Sequence, residues 1–154
     1  MSPQIATSTQ VDRAGMLEFA RPRHHAILIT ARSDGSPQAS PVTCGIGADD
    51  RIAIATYPER AKAMNTRRSG TASVVVLSDD FGGAWLQIDG DAQVLDMPEA
   101  LEPLVEYYRS ISGEHPDWDG YRAAMRRQGK SLILIAPRRW GPVATGGFPA
   151  RLTA

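Results

Sequence analysis

The stretch RIAIATYPERAKAMNTRR, residues 51–68, decides how this chain is read. It opens as a short apolar strand over residues 51–56, turns at Tyr57-Pro58, and continues as a helix over residues 59–67. Proline is well tolerated at a first helical position, where its missing N–H has no partner to lose. Arg60 and Lys62 then fall in the first helical turn, offset only by Glu59. Helix N-termini carry partial positive charge, so cations there cost about 0.3–1 kcal/mol each at exposed positions unless an anion is bound. A strand-end hydroxyl from Thr56, free helix N–H groups, an arginine and a lysine together have the makings of a phosphate cup. The plainer alternative is that both cations are solvated, with their long stems lying over apolar neighbours. On the residues alone both stand.

Working outward, the 154 residues suit one domain, expected to span 1–154 and large enough for a core without staples. Seventeen basic and seventeen acidic side chains cancel. That balance removes the usual charge-based case for nucleic acid or an anionic membrane as partner. A single cysteine, Cys44, allows no internal disulfide and fits a reducing compartment. No apolar run approaches the ~20 residues of a membrane span. The first residues lack the basic start and apolar core of a signal peptide, so a cytoplasmic location is expected.

Residues 1–10 read as a loose tail and 11–20 as a short helix ended by Pro22. The run HAILITA, residues 25–31, is strand-like, and Asp34-Gly35 beyond it is a strong hairpin signal. The strand over 38–46 carries Pro41, which places it at an edge or a bulge. With the strand over 51–56 it is expected to complete a three-stranded antiparallel meander. Residues 71–77 read as a strand buried on both faces. Residues 84–94 form a long alternating strand, bent at Gly90 as where a sheet curls. Asp96 and Glu99 resemble a capping box for a helix running to Gly113. A second helix is expected from Asp117 to a C-cap at Gly129, then a last strand over 131–135. Residues 137–154 read as an irregular tail. The whole is mainly β with inserted helices, an antiparallel six-stranded, partly closed barrel.

Chemistry is sparse. The three histidines and Cys44 have no metal-ligand spacing, so no metal is expected. Cys44 reads as a buried structural cysteine, with a Cys–His pair left open. Trp85 and Trp140 could stack on a planar cofactor, or serve as core or interface aromatics. No pair of groups forms a dedicated general acid and base, so no catalytic side chain is assigned. An enzyme whose reactive chemistry belongs to a bound cofactor would read this way.

Three segments carry a resemblance: TYPERAK with the following NTRRSG, RPRHHAILITARSDGSPQASPV, and YYRSISGEHPDWDGYRAAM. Together they resemble the pyridoxamine-phosphate-oxidase-like split β-barrel superfamily. Within it they are most similar to the small actinobacterial deazaflavin-dependent oxidoreductases that use coenzyme F-420. The resemblance covers residues 24–142. It implies a homodimer of split barrels with two cofactor sites at the subunit interface. It further implies that Arg60 and Lys62 grip the cofactor phosphate, and that Ala55, Thr56 and Tyr57 lie along that phosphate and its linker. The ring system would rest on the second strand around Pro41 and Thr43. Trp85 and Trp140 would approach from one subunit or the other.

The expected activity is hydride transfer from reduced F-420 to a small planar conjugated acceptor such as a quinone or enone. FMN is the alternative cofactor, and a non-catalytic deazaflavin carrier the alternative role. Arg67 and Arg68 are the candidates for the deazaflavin's acidic tail, which FMN lacks.

Overall fold

In the computed structural model, which describes residues 4–152, strands β2 (His25–Ala31) and β3 (Pro37–Thr43) form the hairpin that Asp34-Gly35 predicts. Gly35 takes a positive φ of 85°, a conformation that glycine adopts without a Cβ clash. The expected second strand is broken at Cys44 into β3 and the two-residue β4 (Gly45–Ile46). The third expected strand, β5 (Ile52–Thr56), pairs with β4 and not with β3. The expected meander is thus interrupted.

That interruption shapes the molecule. Strands β6 (Thr71–Leu77), β7 (Trp85–Leu95) and β8 (Ser131–Trp140) complete the main path of the sheet, which runs β3-β2-β6-β7-β8-β5-β4. Its two ends, β3 and β4, are separated in sequence by Cys44 alone. A sheet whose opposite edges are joined by one residue has to curl round on itself, which yields a half-closed antiparallel barrel. At Gly90 the β7–β8 register shifts, an irregularity of the kind that bends a strand. A Cβ there would stand 2.1 Å from the Ala136 carbonyl oxygen, so only glycine allows the two backbones to meet.

Inside the barrel, Leu28, Ile52, Ile54, Val74, Val76, Leu86, Ile88, Ile133 and Ile135 form the main core. Helix α1 (Arg13–Ala20), capped by the Asp12 carboxylate, adds Met16, Leu17 and Ala20 to it. Strand β6 alternates, with Ala72, Val74 and Val76 buried and Ser73, Val75 and Leu77 half-exposed, so it is not buried on both faces as its composition implied. Outside, helices α3 (Leu101–Ser112) and α4 (Trp118–Gln128) cover the back of β5 and β8. They form a second core from Ala53, Leu101, Leu104, Met125, Leu132 and Leu134. Asp117 caps α4 and Gly129 closes it, as expected.

Three boundaries differ from the sequence reading. The last strand extends to Trp140, and a short strand β9 (Val143–Thr145) pairs with β1 (Thr7–Thr9), so neither tail is wholly irregular. Residues 1–3 and 153–154 of the expected tails lie outside the described residues. Helix α3 begins at Leu101 with no side-chain cap. Asp96 instead binds Arg67 and Ser131, at 2.6 Å each. Among the described residues, no helix is long and apolar enough to cross a membrane.

Candidate functional site

The elbow between β5 and helix α2 (Ala61–Ser69) is built as a turn followed by an N-cap. Arg60 N–H donates to the Tyr57 carbonyl, and the amides of Ala63 and Met64 donate to the Arg60 carbonyl. The helix therefore starts two residues later than expected: Glu59 lies outside it, and Arg60 is the N-cap with extended backbone. No side chain caps this end, and its first turn holds no acidic residue. The amides of Ala61 and Lys62 are left to solvent or to an anion. Arg60 is exposed and Lys62 half-buried. Among the described residues, no carboxylate pairs with either. Two unpaired cations at an uncapped helix N-terminus fit a phosphate, which needs both charge and N–H donors.

Beside this elbow the barrel splits. Continuing the Gly45–Ala53 pairing along the strands would set Thr43 opposite Ala55 and Pro41 opposite Tyr57. Instead β3 turns away to β2, and the Tyr107 hydroxyl fills the gap, donating to the Thr43 carbonyl at 2.9 Å. Burial pushes the Tyr107 pKa up and keeps it protonated. A cavity of about 290 Å³ opens here, lined by Thr43, Ala55, Tyr107, Tyr108, Tyr121 and Lys130, with Leu104 and Met125 behind them. Lys130 follows the αL cap of α4, and its ammonium lies 4.7 Å from the Tyr57 ring centroid. Its Nζ is 3.4 Å from the Tyr57 hydroxyl. The Arg60 guanidinium is 6.0 Å from the same ring, so Tyr57 sits between two cations.

The structure thus gathers Thr43, Ala55, Tyr57 and Arg60 around one elbow, with Lys62 on the first turn of α2. Pro41 is exposed on the same face of β3 as Thr43. Thr56 is buried at 5% exposure on the barrel side, away from the exposed cations. Trp85 is 38% exposed at the start of β7, and Trp140 is half-buried against the barrel core. The Trp140 indole N–H donates to the Val11 carbonyl. Neither tryptophan lines the cavity at the split. The candidates for an acidic tail are engaged elsewhere: Arg67 with Asp96, and Arg68 with the Ala31 carbonyl and Asn65.

Lys130 and Tyr107 are what the sequence reading missed. Lys130 stands directly after a helix cap, which is a common place for a solvated lysine, and Tyr107 lies one position off the apolar stripe of α3. Cys44 is buried in the main core. Burial pushes its thiol up to about 12, and the neighbouring His24 ring binds the Cys44 carbonyl instead of the sulfur. No group of three or more metal-ligating side chains occurs among the described residues. The segment over 114–121 is a structural knot, in which Tyr108, His115, Trp118 and Tyr121 pack with centroids 5.0–5.6 Å apart.

Comparison with known proteins places this geometry. Residues 14–144 match the family model described as pyridoxamine 5'-phosphate oxidase. A curated relative from Mycobacterium tuberculosis (strain CDC 1551 / Oshkosh), a biliverdin reductase dependent on reduced coenzyme F-420, is 41% identical over 81 residues. That match takes in 51% of this chain and 56% of the relative, so the chain spans little more than half of it. Among solved structures, a conserved hypothetical protein from Mycobacterium tuberculosis superposes with a TM-score of 0.72 at 20% identity, over 91% of this chain and 89% of that one. An F-420 reductase superposes with a TM-score of 0.59 at 17% identity, over 80% of this chain and 94% of that one. At these identities the structural likenesses speak to the fold.

Proposed function

The chain belongs to the pyridoxamine 5'-phosphate oxidase family, and on that premise we propose that it is an F-420-dependent oxidoreductase acting on a planar conjugated acceptor. The observation that carries this reading is the pair of unpaired cations, Arg60 and Lys62, at the uncapped start of α2. The 41% identical relative, a reductase dependent on reduced F-420, supports the choice of cofactor.

In this reading Arg60, Lys62 and the first-turn amides of α2 hold the cofactor phosphate. The strand ends at Pro41–Thr43 and Ala55–Tyr57 form the floor beside it. When bound, a reduced deazaflavin supplies the hydride. The chain's own residues orient the reactants and exclude water. Tyr107 and Tyr121 keep their protons, since burial raises both, the latter to about 12. We further take the chain as one split-barrel domain that works as a cytoplasmic homodimer. In that dimer Trp85 and Trp140 border a cofactor site at the interface, and neither nucleic acid nor membrane is a partner.

FMN remains a second reading, favoured by one observation. Arg67 and Arg68, the cations suited by sequence to an acidic tail, are already bonded within the protein. The test is anaerobic mixing of the protein with reduced F-420 and a panel of quinones, enones and biliverdin, following the return of oxidised-deazaflavin absorbance. Turnover with any acceptor supports the reductase. Tight binding with no turnover across the panel would leave a carrier.

A further inference from the structure

The cavity at the split has a composition that the phosphate cup does not explain. Three tyrosines, Tyr107, Tyr108 and Tyr121, line it, and Lys130 is the one formally charged side chain that does so. The Tyr107 and Tyr121 hydroxyls donate to the Thr43 and Leu104 carbonyls, so neither proton is free for a ligand. Lys130 is half-buried and, among the described residues, has no carboxylate partner. A partly desolvated ammonium without a counter-ion favours an anionic ligand. Three tyrosines in one lining favour an aromatic one.

We propose that this cavity is a binding site for a planar molecule bearing a carboxylate, with the carboxylate on Lys130 and the ring system among Tyr107, Tyr108 and Tyr121. Arg60 and Lys62 do not line the cavity, so the site adjoins the phosphate cup without sharing its cations. At about 290 Å³ it lies at the small end of ligand pockets, enough for a two-ring acid or for one arm of a larger molecule. The identification of this ligand as the hydride acceptor rests on the reductase reading above. The binding site itself does not.

The test is calorimetric titration of the full chain with 2-naphthoate and with its uncharged isostere 2-naphthamide. Saturable binding of one naphthoate per chain is expected, with the amide at least tenfold weaker. Lys130→Gln should lose tenfold or more, and Lys130→Arg should retain most of the affinity, since it keeps the charge. The Arg60→Ala/Lys62→Ala variant should bind naphthoate as the native chain does while losing F-420. Equal binding of acid and amide, indifference to Lys130→Gln, loss of naphthoate in the cup variant, or no saturable binding would each overturn the proposal. Failure of F-420 to bind, with naphthoate binding intact and dependent on Lys130, would instead count against the cofactor reading alone.

Discussion

The Tyr107 hydroxyl donates to the Thr43 carbonyl at 2.9 Å, fastening helix α3 to the strand end at which β3 leaves β5. The phenol satisfies the Thr43 carbonyl at the split without closing the ladder between the two strands. Tyr107→Phe should therefore cost about 1–2 kcal/mol, since it strands the Thr43 carbonyl that the hydroxyl serves. Thermal unfolding measures the loss. Unchanged stability would mean that the split is held by other contacts.

The phosphate cup is tested by Arg60→Ala combined with Lys62→Ala. Charged hydrogen bonds contribute about 1.5–3 kcal/mol each, so the double variant should lose several kcal/mol of F-420 affinity. Its melting temperature should barely move, because among the described residues neither side chain has an ion-pair partner. Unaltered affinity would remove the phosphate assignment.

Gly90→Ala tests the curl. The added methyl would meet the Ala136 backbone carbonyl, which cannot swing aside as a side chain could. Overpacking of this kind typically costs about 1–3 kcal/mol. A variant as stable as the native chain would show that the β7–β8 contact is looser than the register shift implies.

Asp96 gives a pH prediction. The hydrogen bond from Arg67, then that from Ser131, hold its carboxyl below the ordinary carboxylate range against a smaller opposing effect of burial. A carboxylate depressed in the folded state stabilises above its unfolded pKa, and that contribution fades as pH falls through its folded value. The Arg67 and Asp96 side chains are 39% and 42% exposed, so solvent screening limits their ion pair to about 0–1 kcal/mol at neutral pH. Asp96→Asn should lower stability at pH 7 and flatten the decline that sets in below about pH 4. Parallel curves for the two proteins would contradict this.

Much of the architecture was legible because strands alternate and turns carry their own residues. HAILITA, Asp34-Gly35, the bend at Gly90 and the Asp117–Gly129 helix are all local signals, and all appear where the sequence puts them. What failed was non-local. The break at Cys44 has no local marker, because it arises from one strand serving two edges of a curled sheet. Asp96 has the composition of a cap but is claimed by Arg67 and Ser131, which are 29 and 35 residues distant. At the site, Arg60 and Lys62 could be named because their charge conflicts with the helix dipole locally. Lys130 could not, since its meaning comes from a tyrosine 73 residues away.

The central claim, a deazaflavin phosphate held at the start of α2, is tested most directly by titrating the native chain with F-420 and with FMN, followed by tryptophan fluorescence. The account predicts saturable, tight binding of F-420 and markedly weaker binding of FMN. Preference for FMN would keep the cup and move the chemistry to a flavin, and binding of neither would contradict the assignment of a cofactor site at Arg60 and Lys62.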